Sequence, residues 1–143
     1  MSKHVHGTFI AAAVTVPANT TYSSDLIGGV DFTSRQIDIT GVESIAVIVE
    51  STGANAAINA DIHADLVVAV DDAPTDYTTI NVLSQAYDTV TIHATTNAAE
   101  RAAQVVGVEG CAFIGIGRIR NEDPTYSADV QVYFGKYERI TPT

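Results

Sequence analysis

Three sets of side chains in this sequence have the chemistry to bind a metal ion or to transfer a proton. In the first set, His4 and His6 lie two residues apart, so both imidazoles would project from one side of an extended chain. Zinc binds three or four ligands, and the neighbouring sequence offers no further ligand to complete such a site. We therefore interpret this segment as an ordinary solvated tail rather than as half of a metal site.

The second set is Asp61, His63 and Asp65, which would project together because alternate residues of a β-strand face the same side. Two carboxylates and an imidazole could bind a metal ion or act as an acid–base group. A strand with one acidic, solvent-exposed face produces the same spacing, and we prefer this simpler interpretation. His93 is likewise interpreted as a strand residue, because no sequence motif connects it with an acid or a nucleophile.

The third set is the acidic segment 71–76, which contains three aspartates and Pro74. A calcium-binding EF-hand loop requires a central glycine and a distal glutamate, and both are missing here. Aspartate and proline are common in turns, so we predict a turn. From the residues we predict no catalytic, cofactor-binding or metal-binding site.

β-Strands are the elements that must position these side chains. The sequence has 17 valines, 14 isoleucines and 17 threonines but only 3 leucines and 1 methionine, and β-branched residues favour strands. The run Ser44–Glu50 is almost entirely apolar, as is typical of a strand that is covered on both faces. We expect the rest of the chain to supply a layer on each side of it.

Alternating apolar residues and turn residues divide the chain into short strands. The predicted strands are 8–16, 36–39, 44–50, 60–70, 77–83, 88–94, 111–121 and 128–137, with a further short strand around Leu26. The segment 95–104 is the helix candidate, because Asn97 followed by Glu100 resembles a capping box. In the last strand, Tyr133 and Tyr137 are predicted to face outward.

The strand 111–121 has two further features. Gly115 and Gly117 lie inside it, and glycines in a strand often mark a bulge or a close approach of another backbone. Arg118 and Arg120 share one face, and we expect them to form ion pairs within the fold or across a subunit contact. A phosphate site would instead need glycines at the start of a helix.

These patterns predict an all-β protein: an antiparallel β-sandwich, jelly-roll-like, with at most one short helix. No alternation of strands and helices indicates a parallel sheet. We expect residues 1–7 to form an N-terminal arm and residues 8–143 to form a single β-sandwich domain.

The charge of the chain limits its partners. Seventeen acidic residues against seven basic ones give a formal net charge of −10, so we expect no binding to nucleic acid or to an anionic membrane surface. A single cysteine, Cys111, excludes a disulfide framework within the chain. The N-terminal residues lack a signal-peptide core, which favours synthesis in a cytoplasm.

Four stretches of the sequence resemble small virion proteins of tailed bacteriophages. The stretches are IDITGVESIAVIVESTG, ADLVVAVDDAP with YTTINVL, GCAFIGIGRIR and ADVQVYFGK, within about residues 35–137. The motif residues of the resemblance are Ile37, Asp38, Gly41, Glu43, Ser44, Val68, Val70 and Asp72. The resemblance implies a capsid decoration protein, often oligomeric and located in the virion, with no catalytic residues.

We therefore expect a non-enzymatic virion structural protein that decorates or stabilises a phage capsid through homo-oligomeric assembly. Its expected partners are other copies of itself, with a trimer as the favoured state, and the major capsid protein or another virion protein. The residues expected at the interface are His4, His6, Tyr133 and Tyr137, and no cofactor is expected.

Two alternatives remain open. The protein could be an accessory protein of a phage tail or neck, since the resemblance does not distinguish these locations. It could also be a carbohydrate-binding β-sandwich module. Such modules usually expose tryptophan, and this sequence has none.

Overall fold

The computed structural model describes residues 2–53, 58–69, 87–95 and 99–139. These residues form ten β-strands and one 3₁₀ helix. The strands are β1 (Ser2–Thr8), β2 (Val14–Val16), β3 (Thr20–Ser23), β4 (Ile37–Asp38), β5 (Ser44–Gly53), β6 (Ala60–Ala69), β7 (Asp88–Ala94), β8 (Ala99–Gly107), β9 (Phe113–Asn121) and β10 (Ala128–Arg139). The 3₁₀ helix is Asp25–Ile27. The predicted turn 71–76 and the predicted strand 77–83 lie outside the described residues.

The strands form two antiparallel sheets. Sheet I has the order β1-β10-β5-β8, and β2 also pairs with β10. Sheet II has the order β3-β9-β6-β7, and β4 also pairs with β9. If β1 with β2, and β3 with β4, each count as one interrupted strand, the first strand pairs with the last, the second with the seventh, the third with the sixth and the fourth with the fifth. This nested pairing is the jelly roll, so the predicted fold class is confirmed.

The inner faces of both sheets share one apolar core. In β5, Ile45, Val47 and Val49 alternate with outward residues and are fully buried. In β6, Ile62 and Leu66 do the same from the opposite sheet. Because side chains alternate along a strand, the β-branched residues counted in the sequence supply both inner layers.

The predicted helix at 95–104 is wrong, because Ala99–Gly107 is strand β8. The strand pairs antiparallel with β5 along its whole length, for example Ala103 with Ile48. Its backbone bonds to β5 outweigh the local helix preference of alanine, which is worth only a few tenths of a kcal/mol per residue. Glu100 does accept a backbone hydrogen bond at 3.2 Å, but from Thr95.

The short strand predicted around Leu26 is also wrong, because Leu26 lies in the 3₁₀ helix. Ser24 caps this helix by accepting a hydrogen bond from the backbone N–H of Leu26 at 3.2 Å. Gly28 ends it in the left-handed conformation, with φ of 86°. The N-terminal cap and the glycine at the end of this 3₁₀ helix together explain why the chain turns here.

The predicted N-terminal arm is part of sheet I from Ser2 onwards. Strand β1 pairs with β10 over seven residues, from Ser2 opposite Arg139 to Thr8 opposite Tyr133. Val5 packs against the core from this strand. His4 and His6 project from the exposed face of this strand. That face is the outer one of an edge strand.

Candidate functional site

The outer face of sheet I collects side chains from four strands. They project outward because their neighbours in each strand point into the core. We call this surface the tyrosine face and define it by His4, His6, Ile48, Arg101, Val105, Tyr133 and Tyr137. All four residues predicted at an interface, His4, His6, Tyr133 and Tyr137, belong to it.

Strand register brings the aromatic rings of the tyrosine face together. His4 lies directly opposite Tyr137, and their ring centroids are 5.1 Å apart. The rings of His4 and His6 are 5.8 Å apart. Gly135 lies between the two tyrosines in β10, and a Cβ atom there would come within 3.1 Å of His4 Nε2. The glycine therefore leaves room for the His4 imidazole to lie over the strand.

A shallow groove crosses the same face beside Tyr133. It has a volume of about 220 Å³ and is lined by His6, Gly7, Ile48, Arg101, Tyr133 and Phe134. The guanidinium of Arg101 lies 5.7 Å from the centroid of the Tyr133 ring, within the range of a cation–π interaction. Arg101 Nε also donates a hydrogen bond of 2.5 Å to Glu50 Oε2, and this bond raises the pKa of Arg101.

The tyrosine face is only partly covered. Val105 retains 71% and Tyr137 66% of its exposable surface. Ala46 and Ile48 of β5 are half-buried beside them. The apolar sequence of β5 predicts cover on both sides, but within the described chain it has a packed layer on the inner side alone. The outer side of β5 therefore has the apolar composition of a buried surface, but it is only partly covered.

The outer face of sheet II carries an ion-pair network instead. Asp65 is 2% exposed, and its carboxylate accepts two hydrogen bonds of 2.9 Å from Arg120. Arg118 Nε lies 3.4 Å from Asp65 Oδ2, and the Thr89 hydroxyl donates a 2.8 Å bond to Oδ1. The predicted use of the two arginines in ion pairs within the fold is confirmed.

A β-bulge at Gly117 places these arginines. Asp65 pairs with Arg118 and Leu66 with Ile116, so Gly117 is the extra residue in β9. A Cβ atom on Gly117 would lie 2.6 Å from Val67 Cγ1. Both predicted roles of the strand glycines are therefore confirmed, since a Cβ atom on Gly115 would lie 3.1 Å from the backbone carbonyl oxygen of Arg35.

The predicted set Asp61, His63 and Asp65 is divided by the structure. Arg120 and Arg118 bind Asp65, whereas Asp61 and His63 lie with Glu122 in a group whose potential ligand atoms are within 4.8 Å of one another. We call Asp61, His63 and Glu122 the His63 cluster. Beside it, His93 Nδ1 is 2.6 Å from Asp61 Oδ1.

Sequence reasoning missed four residues of these two surfaces. Arg101 lies in the predicted helix 95–104 and Val105 follows that helix, so the sequence does not predict that both face outward from one strand. Ile48 was expected to be covered. Glu122 follows the predicted strand 111–121, and its position beside Asp61 depends on the pairing of β6 with β9.

Comparisons with known proteins assign no family. No protein-family model matches this chain, and no curated protein sequence matches it. Within the described residues, no helix is long and apolar enough to span a membrane.

Several solved structures are distantly similar. A structure of the infectious bursal disease virus Gx strain is 10% identical, with a TM-score of 0.47, over 97% of this chain and 32% of that chain. The K1 cleaved adhesin domain of Lys-gingipain from Porphyromonas gingivalis W83 is 10% identical, with a TM-score of 0.45, over 97% of this chain and 99% of that one. Broad bean stain virus gives 11% identity and a TM-score of 0.44, over 97% and 93% of the two chains.

This chain thus spans about a third of the length of the first of these structures. None of the three is a protein of a tailed bacteriophage. All three likenesses are too distant to assign a family.

Proposed function

We propose that this protein is a non-enzymatic structural protein of a virion, which decorates or stabilises a bacteriophage capsid through homo-oligomeric assembly. The observation that carries the proposal is the tyrosine face, which combines uncovered apolar side chains with two tyrosines. Tyrosine is enriched in protein interfaces because its ring buries apolar area while its hydroxyl keeps a hydrogen-bond partner. The sequence resemblance to phage virion proteins supports the choice of a virion.

The jelly-roll fold is compatible with this role but does not select it. Viral capsid domains, lectins and cupins all use double-sheet jelly rolls, and function has to be argued from a surface rather than from the fold. The tyrosine face supports assembly because it is broad and spans four neighbouring strands.

A second copy of the chain is the proposed occupant of the tyrosine face. The chain as a whole carries a net charge of −10, which opposes self-association. On this face, however, Arg101 and Glu50 present both signs of charge together with two histidines. Copies of the chain can therefore meet here without the repulsion that their acidic surfaces would cause. We propose a trimer as the assembled state and the major capsid protein, or another virion protein, as the further partner.

Two valines provide a matched test of this face. Val105 lies on the tyrosine face and is 71% exposed, whereas Val30 lies elsewhere and is 95% exposed. We expect Val105→Asp to lower the solution mass measured by light scattering from an oligomer to a monomer. Val30→Asp, which introduces the same charge at a more exposed site, should leave the oligomer intact.

Co-sedimentation with capsids of the parent phage tests the virion role. The unmodified protein and Val30→Asp should co-sediment with heads, and Val105→Asp should do so less. Co-sedimentation with tails instead would favour the tail or neck alternative. Specific binding to a glycan by a protein that stays monomeric would favour the carbohydrate-binding alternative. A monomer that binds no phage particle would contradict the proposal.

A further inference from the structure

The His63 cluster combines three possible metal ligands, two from strand β6 and one from the residue that follows the adjacent strand β9. Asp61 and His63 project from β6, and Glu122 follows the last residue of β9. The Glu122 backbone N–H donates a 3.2 Å hydrogen bond to the carbonyl oxygen of Asp61. The backbone therefore holds Glu122 beside Asp61 whether or not its side chain has a partner.

The His63 ring is oriented with one nitrogen towards the carboxylates. Its Nδ1 atom is 2.7 Å from the Thr91 hydroxyl, and its Nε2 atom is 3.3 Å from Glu122 Oε1. The His63 side chain is 15% exposed, so neighbouring residues restrict its rotation. When Nδ1 carries the proton and donates to Thr91, the lone pair of Nε2 points to the space shared with Glu122. Metal-binding histidines are commonly held in this way, by a hydrogen bond from the nitrogen that does not bind the metal.

Asp61 has a comparable support. His93 contacts Asp61 Oδ1 through Nδ1 at 2.6 Å, and its Nε2 atom is 2.9 Å from Asn59 Oδ1. This contact occupies one oxygen of Asp61 and leaves the other available. His93 thus orients the Asp61 carboxylate and is not one of the proposed ligands.

Distances in the cluster suit a small tetrahedral ion. Bonds of about 2.0 Å place the ligand atoms of a tetrahedral zinc ion about 3.3 Å apart. The 3.3 Å between His63 Nε2 and Glu122 Oε1 already matches this value. All three ligand atoms lie within 4.8 Å of one another, so a side-chain rotation brings the third into range. Calcium binds oxygen ligands, whereas an imidazole together with carboxylates suits zinc.

We propose that Asp61, His63 and Glu122 bind one Zn²⁺ ion, with water as the fourth ligand. From the sequence we expected no metal site, and the set considered and set aside there had Asp65 as its third member. Asp65 is committed to Arg118 and Arg120, and Glu122 takes its place. The site lies on the outer face of sheet II, so the proposal does not rest on assembly through the tyrosine face of sheet I.

Isothermal titration of the full chain with ZnCl₂ at pH 7.5 tests the proposal. We expect one Zn²⁺ per chain and a rise in the melting temperature, because an ion that binds only the folded state stabilises it. Glu122→Gln and His63→Asn should each weaken binding at least about 10-fold, and His93→Ala should weaken it as loss of an orienting residue does, by about 10- to 100-fold. CaCl₂ under the same conditions should give no comparable binding.

The control variant is the double substitution His4→Asn and His6→Asn. It removes two neighbouring histidines that lie outside the His63 cluster, on the other sheet. It should bind Zn²⁺ as the unmodified protein does. Glu122→Gln is the decisive variant, because its side chain is 56% exposed and the substitution preserves its size, so folding should be retained. Circular dichroism checks folding. Absence of Zn²⁺ binding by the folded protein, or binding that is lost in the His4/His6 variant and kept in Glu122→Gln, would overturn the proposal.

Discussion

Arg120 donates two hydrogen bonds to the carboxylate of Asp65, each of 2.9 Å, from the strand next to it in sheet II. Asp65 is 2% exposed, so its charge has almost no water to stabilise it. Arg118 and Thr89 complete its surroundings. A buried carboxylate of this kind requires its partners, because breaking the pair leaves an uncompensated charge.

Arg120→Ala should lower the free energy of unfolding by about 1.5–3 kcal/mol, because it removes two hydrogen bonds to a buried charged group while Arg118 still faces the carboxylate. The control is Arg101→Ala in sheet I, which breaks a pair with Glu50 whose arginine side chain is 65% exposed. That substitution should lower the free energy of unfolding much less, because water screens an exposed ion pair. Urea denaturation of both variants measures the difference. Equal losses would show that Asp65 is effectively solvated.

Adjacent residues of β5 should respond differently to the same substitution. Val47 is fully buried in the core, whereas Ile48 is half-buried on the tyrosine face. Val47→Asp should cost several kcal/mol, roughly 3 or more, because it buries an unpaired charge. Ile48→Asp should leave a folded chain that associates less well. Thermal unfolding and light scattering of both variants check this, and a Val47→Asp variant with an unchanged melting temperature would contradict the packing described.

Gly29 is a position where a side chain does not fit. A Cβ atom there would lie 2.4 Å from the carbonyl oxygen of Ser23, which is backbone and cannot rotate away. Gly29→Ala should therefore destabilise the fold by about 1–3 kcal/mol. Gly107→Ala is the control, because no atom lies within 4 Å of a Cβ at that position. Chemical denaturation should give a lower free energy of unfolding for Gly29→Ala than for Gly107→Ala. A Gly29→Ala variant as stable as the unmodified protein would contradict the close contact with Ser23.

Asp123 should make the stability depend on pH in the acid range. Burial raises the pKa of this carboxyl, but backbone N–H donors of Asn59, Thr125 and Tyr126 outweigh it, so the pKa lies below its ordinary value of 3.8. A lowered pKa in the folded state stabilises the protein at pH values above the unfolded pKa. This contribution is lost as the pH falls through the folded pKa.

Asp123→Asn should accordingly cost roughly 2 kcal/mol at pH 7, since an amide nitrogen would face a backbone donor. The difference from the unmodified protein should shrink as the pH falls below about 4, because the unfolded chain then binds a proton at Asp123 that the folded chain, with its lowered pKa, does not yet bind. Urea denaturation at pH 7 and at pH 3 measures both differences. A gap that widens at pH 3 would contradict this assignment.

Alternation within single strands was sufficient to predict much of the fold. In β6, the inward positions of Ile62 and Leu66 follow from a period of two, and the same argument places Tyr133 and Tyr137 outward in β10. The sequence also indicates the bulge at Gly117, because a glycine inside a strand weakens the strand and often marks a bulge. These features depend on residues that are neighbours in sequence, so the sequence carries them directly.

Strand β8 and the two candidate sites were decided by contacts between distant residues. Val105 and Val106 are equally apolar, yet one faces solvent and the other the core, so this segment has no alternation that could reveal a strand. Its conformation follows from pairing with β5, about fifty residues away in the chain. Glu122 joins Asp61 and His63 in the same way, through the register of β9 against β6. Register is a property of two strands together, and neither strand's sequence states it alone.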